Sequence, residues 1–309
     1  MKLLRKIGKH WLVCAMLLWY TNMFAQQKVN FDPPWNAPFD TSLNFTVPGI
    51  DNVPDLYGDI ENPQLVVFFA GNQFMCVDDL LAGFRRKHPD IKRIFVETLP
   101  PGILAKQIEG GSLVMGNLRI TLNPDVYTAG KERIELMKQH FNRTAVYAYN
   151  KLSLMVYKGN PQNIKGLNDL QNPAIKISMP NPAWEGIGRR IEKAYRIAGG
   201  DSLYNAVMKD KVKNGTTYLT RIHHRESPLR ILYEQSEVAP VWTSEVQYQK
   251  MIGHPVEEIP IPDSSNIRAT YIAGQMKNAP HAKTAALFMD YLASGEAKAI
   301  YRKYGFETD

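Results

Sequence analysis

Cysteine is scarce in this chain of 309 residues: there are two, Cys14 and Cys76. Internal repeats and low-complexity segments are missing as well, so neither a repeat array nor a disordered tail is expected. The longest apolar run, Trp11 to Tyr20, is too short to span a bilayer. Strong charge of one sign is lacking once the N-terminus is set aside. Residues 1–25 carry four Lys/Arg and no Asp/Glu, and their removal lowers the formal net charge from +7 to +3. That small excess gives no case for nucleic acid. What is present is a core: 44% apolar and 10% aromatic residues over this length place the chain among packed globular proteins, of a size usually split into two units.

The N-terminus reads as an export signal. Lys2, Arg5, Lys6 and Lys9 precede the short apolar run, and the small residue Ala25 supplies a cleavage position. Cleavage after Ala25 predicts a periplasmic protein. Cys14 lies inside the apolar run without a small residue before it, so it makes a poor lipid-attachment site and no stable membrane anchor is expected. Only Cys76 then remains, and an intrachain disulfide is excluded. Residues 26–62 are dense in Pro, Asn and Asp, interleaved with Phe31, Trp35, Phe39 and Phe45. Proline this frequent blocks helices and central strands, so an extended arm is expected.

Regular structure begins at "LVVFFA", Leu65 to Ala70, an unbroken apolar run of the kind buried on both faces of a sheet. Asn72 is positioned to cap a helix carrying Phe74, Val77, Leu81 and Phe84. "RIFVE" and "DVYTAG" read as further strands, with "PPGILAKQIEGG" and "KERIELMKQ" as helices between and after them. A second series follows: "LSLMVYKGNP" and "IKISMPNP" as strands, a helix opened by Pro182 and closed by Gly199-Gly200, a helix over "SPLRILYEQ" with Ser227 as cap and Pro228 first, and a strand over "APVWTS". Two helices end the chain, the last capped by Ser294 and stopped at Gly305. Strand–helix alternation of this kind predicts an α/β protein with mostly parallel sheets.

The order of these pieces, and above all the ending "AKTAALFMDYLASGEAKAIYRKYGF", resembles type II periplasmic solute-binding proteins, with the closest likeness to the molybdate-binding group. The likeness covers about Leu65 to the end. It implies a two-lobe fold with two crossover strands and a ligand cleft between the lobes. It also implies a non-enzymatic monomeric receptor, without cofactor, that hands a small anionic solute to the membrane subunits of an ABC importer. The expected division is a signal peptide over 1–25, an extension over 26–62, a first lobe over 63–147, a second over 148–248, and a return to the first over 249–309. Carried over by place, the ligand positions fall near Asn72, at Gly102 after Pro101, at Trp184, Glu185 and Gly186, at His224 and Arg225, and at Trp242. Thr128, in the third strand, joins them. Pro101 stands where the family uses a serine and Trp242 where it uses a tyrosine, which argues for a solute other than plain molybdate. Residues 112–124 have no counterpart.

The run "HHRES", residues 223–227, carries the sharpest alternatives. Arg225 beside a helix start suits a carboxylate or oxyanion, with His224 as helper; paired with Glu226 it is instead an ordinary surface arginine. His223, His224 and Glu226 are the alternative as metal ligands, although adjacent side chains of an extended segment point to opposite faces. No glycine-framed elbow surrounds Ser227, so nucleophilic catalysis finds no support. Trp184 and Trp242 are cleft walls or core. Cys76 is a small residue near a helix start or a reactive thiol.

Overall fold

The structure, a computed structural model, describes residues 55–115, 118–221 and 225–309. The expected signal peptide, most of the Pro-rich arm, and His223 and His224 lie outside the described residues.

Lobe 1 is built on a six-stranded sheet ordered β1-β3-β2-β6-β13-β7. Its strands are β1 (Leu56–Gly58), β2 (Leu65–Phe68), β3 (Ile94–Glu97), β6 (Val126–Gly130), β7 (Phe141–Asn150) and β13 (Ala269–Met276). The segment without counterpart forms a separate hairpin of β4 (Leu113–Met115) and β5 (Leu118–Ile120). Lobe 2 holds a five-stranded sheet ordered β10-β9-β11-β8-β12. It is made of β8 (Leu152–Tyr157), β9 (Ile177–Met179), β10 (Thr217–Leu219), β11 (Val238–Trp242) and β12 (Val256–Pro260).

The run at Leu65 behaves as its composition requires. Leu65 and Val67 enter one apolar cluster and Val66 and Phe68 the other, because successive side chains of a strand face opposite ways. On one face of the sheet pack α1 (Val77–Lys87), α7 (Ala282–Leu292) and α8 (Gly295–Lys303), where Phe84 meets Phe288 edge to face at 5.1 Å. On the other lie α2 (Pro101–Gly110) and α3 (Lys131–Leu136), which contribute Ile103, Leu104 and Ile134. Each such side chain, fully buried, contributes roughly 1.5–3 kcal/mol. Lobe 2 adds α4 (Gly186–Asn205), α5 (Glu226–Leu232) and α6 (Thr243–Met251).

Both sheets are mixed rather than mostly parallel. In lobe 1 strands β2, β3, β6 and β7 direct their carboxyl ends at the cleft, while the edge strand β1 runs antiparallel to β3. The β13 strand enters from the cleft, so it runs antiparallel to β6 and β7. In lobe 2, β8 enters the same way and runs antiparallel to β11 and β12. The chain crosses between lobes at Lys151, and again between Pro260 and Ala269. Asn266 ties the two crossings together: its Oδ1 accepts from Leu152 N–H at 2.9 Å, and its Nδ2 donates to the Leu152 and Ile261 carbonyls at 2.8 and 3.1 Å. Two expected boundaries move. The return to lobe 1 comes after Pro260 and not at 249, because β12 still pairs with β8. The extension ends before 62, because Leu56–Gly58 pairs with β3 as an edge strand.

Other details also differ from the sequence reading. The residues after β2 form a 3-10 turn over Gly71–Cys76, so α1 starts at Val77, and Asn72 caps nothing. Helix α4 starts at Gly186 rather than near Pro182; its helical backbone breaks at Gly199 and Gly200, as expected, before a further helical stretch runs to Asn205. Ser294 does cap α8, accepting from Ala297 N–H at 3.3 Å.

Glu97 closes β3 inside lobe 1, fully buried. Gln107 Nε2 donates to its Oε1 at 2.9 Å, while Glu97 Oε2 and Gln107 Oε1 have no hydrogen-bond partner. Burial pushes this carboxyl up to about 8. So raised, the carboxyl keeps its proton near neutral pH. The unfolded chain releases that proton in the ordinary carboxylate range. Its contribution to stability is therefore complete below that range and is lost as pH rises through about 8. Thermal melts between about pH 5 and about pH 9 should show this decline in the parent and a smaller one in Glu97→Gln, whose amide stays neutral.

Candidate functional site

A cavity of about 80 Å³ opens between the lobes. Lobe 1 supplies Gly71, Asn72, Pro100, Pro101, Gly130, Ala269 and Tyr271; lobe 2 supplies Glu185, Gly186, Ile187, Arg190 and Trp242. Half of these lie at or just after the carboxyl end of a strand (β2, β3, β6 or β11), the place where open α/β sheets take ligands.

Arg190 is the cation of this cavity. It lies one turn after Gly186 on α4, and helical side chains lean back toward the N-terminus. Its guanidinium therefore folds over the first turn, where Nη1 donates to the Gly186 carbonyl at 3.2 Å. A Cβ built on Gly186 would stand 3.2 Å from Nη1, and one on Gly130 of the opposite lobe 3.2 Å from Nη2. Two glycines thus give the guanidinium room between the lobes. Its carbon lies 6.0 Å from the Trp242 ring centre. Trp242 meets Tyr271 edge to face at 6.2 Å, and Asn72 Nδ2 donates to the Tyr271 hydroxyl at 2.5 Å. Burial pushes the Tyr271 phenol up, so it stays neutral at ordinary pH.

A family model for bacterial extracellular solute-binding proteins matches residues 65–307. The chain belongs to that family. No curated protein sequence matches it. Among solved structures of similar fold is the Azotobacter vinelandii periplasmic molybdate-binding protein, 15% identical, with a TM-score of 0.64 over 79% of this chain and 99% of that one. Another is the sulfate-binding protein SubI of Mycobacterium tuberculosis H37Rv, 16% identical, with a TM-score of 0.62 over 79% and 86%. A third is L-phospholactate-bound PEB3, a Campylobacter jejuni protein, 16% identical, with a TM-score of 0.60 over 79% and 100%. At these identities the likeness is one of fold.

In this solute-binding protein the cavity gathers Asn72, Glu185, Gly186 and Trp242 of the residues expected from sequence. Glu185 is buried, and its Oε1 accepts from Thr220 Oγ1 at 2.6 Å and from Asn181 N–H at 3.2 Å. Its charge is thereby anchored within lobe 2. Thr128 sits behind the site. Its Oγ1 accepts from Ala70 N–H at 3.0 Å and so fixes the turn that presents Asn72. Gly102 is displaced from the cavity by its neighbours, since Pro100 and Pro101 form the wall. Trp184 does not line the cavity, and its indole N–H is buried without a partner.

Arg225, expected to carry the solute's charge, is placed elsewhere. Its Nη2 pairs with Asp55 of lobe 1, and its guanidinium lies 4.7 Å from the Phe74 ring centre. Arg225 occupies the N-cap position of α5, one residue before Glu226. Ser227 is therefore already inside the helix, where its Oγ accepts from Ser178 Oγ at 3.1 Å. Glu226 Oε2 accepts from Arg221 N–H at 2.8 Å. Of the alternative metal ligands only Glu226 is described, and among the described residues no group of three His, Cys, Asp or Glu could hold a metal ion. Cys76 is fully buried with its Sγ donating to the Gln73 carbonyl at 3.1 Å, and burial pushes the thiol up, which makes it inert packing.

Arg190 was not among the residues picked from sequence. Its signal is the stretch "GIGRR": a glycine at a helix start followed four residues later by arginine, a spacing that stacks the two on one face.

Proposed function

We propose that this solute-binding protein is a periplasmic receptor that carries a small anionic solute to the membrane subunits of an ABC importer. The observation that carries the reading is Arg190, set between the glycine backbones of two lobes and lining their shared cavity. Arg189 on α4 and Arg133 on α3 add to the positive field there. The names of structural relatives, which mention molybdate, sulfate and L-phospholactate, support an anion.

The walls favour an organic acid over a bare oxyanion. Pro100 and Pro101 have no N–H to donate, and Trp242, Tyr271, Ile187 and Ala269 offer mainly carbon surface. A desolvated tetrahedral dianion needs several donors, and each one lost to a charged group costs about 1.5–3 kcal/mol. An anionic head on Arg190 with a carbon body against Trp242 and Tyr271 meets this surface better.

Native mass spectrometry of protein from its own periplasm tests the reading. The expected chain begins at Gln26 and carries a small organic anion. Calorimetric titration should then rank that anion above molybdate and sulfate. Tightest binding to molybdate would show that backbone donors suffice, and a bound metal that a chelator strips would replace the anion reading with a metal receptor.

A further inference from the structure

Arg190 already holds a carboxylate, and that carboxylate belongs to the other lobe. Nη2 lies 2.6 Å from Oε2 of Glu132, in the first turn of α3. Four features meet at this contact. It spans the cleft, because α3 follows β6 of lobe 1 and Arg190 stands on α4 of lobe 2. It engages the guanidinium that lines the cavity. The Glu132 side chain is 73% exposed while that of Arg190 is only 18% exposed. Finally, a Cβ on Gly130 would crowd Arg190 Nη2 at 3.2 Å and come into contact with Glu132 Oε2 at 3.5 Å, so the bare backbone leaves room for the pair.

We propose that Glu132 is a tethered competitor of the solute and sets the affinity of the site. In the solute-free protein it neutralises Arg190 from across the cleft. An entering anion takes over the guanidinium, and Glu132 returns to water. The exposure of Glu132 makes the exchange cheap, since a carboxylate that is already largely hydrated gains little from its partner. The second arginine pair between the lobes, Arg225 with Asp55, has side chains only 8% and 18% exposed. Separating that largely buried pair costs far more than separating an exposed one, so it is no candidate for exchange. The inference rests on the receptor reading in that Arg190 is taken as the cation that meets the solute.

The experiment uses inorganic sulfate as the probe, titrated by calorimetry into the parent, Glu132→Gln, and Glu132→Gln combined with Arg190→Gln. Glu132→Gln is expected to bind sulfate about three- to tenfold more tightly than the parent. The double variant is expected to lose that gain. Equal sulfate binding by parent and Glu132→Gln, including none by either, overturns the proposal. So does a gain that survives in the double variant, because it would reflect the general field of the cleft mouth and not release of Arg190. Failure here is separable from failure of the receptor reading. A protein that carries a native anion but shows no sulfate gain keeps the receptor and loses the competitor. One that carries no solute but shows an Arg190-dependent gain does the reverse.

Discussion

Replacing Arg190 by Gln is expected to weaken binding of the co-purified anion by about one to two decades, or roughly 1.5–3 kcal/mol. Calorimetry with that anion, at fixed ionic strength, is the measurement. The reasoning is that the cavity wall holds a single arginine, and its partner Glu132 is exposed and displaceable. Gln keeps the length and some hydrogen bonding but removes the charge and the planar fork. Fold should be little affected, because the pair it breaks is partly hydrated and worth about 0–1 kcal/mol. Arg225→Gln should show the opposite balance. Its partner Asp55 and its stacking on Phe74 connect the lobes away from the cavity wall, so its loss should lower the melting temperature more than the affinity. A fall in affinity at Arg225→Gln with none at Arg190→Gln would return the anion to the "HHRES" segment.

The contrast between these two arginines shows what the sequence could and could not convey. Strands were legible where their composition left one option. The run at Leu65 is apolar at every position, and only burial on both faces accommodates that. The order of elements was legible too, and with it the two-lobe plan and the cleft. The register of individual residues at helix starts was not. "HHRESP" offers Ser and then Pro as a capping sequence, yet the helix begins at Glu226, and Ser227 is taken by Ser178 of a neighbouring strand. Tertiary contacts overrode the local cap preference. Likewise "MPNPAWEG" suggested a helix from Pro182. The chain instead makes tight turns, with Asn181 accepting from the Ala183 and Glu185 N–H groups, before α4 starts at Gly186. That later start is what moves Arg190 into the cleft. Glu132 could not be found from sequence at all, since its partner lies 58 residues away in the other lobe.

The same tight turns make Gly188 the most sensitive position of α4. A Cβ there would stand 2.4 Å from the Pro180 carbonyl oxygen and 2.7 and 2.8 Å from the Pro182 N and Cα. All three atoms are backbone, two of them in a proline ring that cannot rotate away. Gly188 is itself buried, so the helix cannot relieve the clash by turning the new methyl to solvent. Either the 180–182 turn or the first turn of α4 must shift. Gly188→Ala is therefore expected to destabilise the fold by roughly 1–3 kcal/mol, as other overpacked sites do. It should also reduce solute affinity about as much as Arg190→Gln, because the moving segment carries Glu185, Gly186, Ile187 and Arg190 together. Gly110→Ala is the control: nothing lies within 4 Å of its Cβ, so stability should change by no more than about 0.5 kcal/mol. Thermal melts and calorimetry on the two variants decide the matter. A Gly188→Ala protein that melts and binds like the parent would show that the proline turn yields freely, and the placement of Arg190 would then need another cause than this close approach.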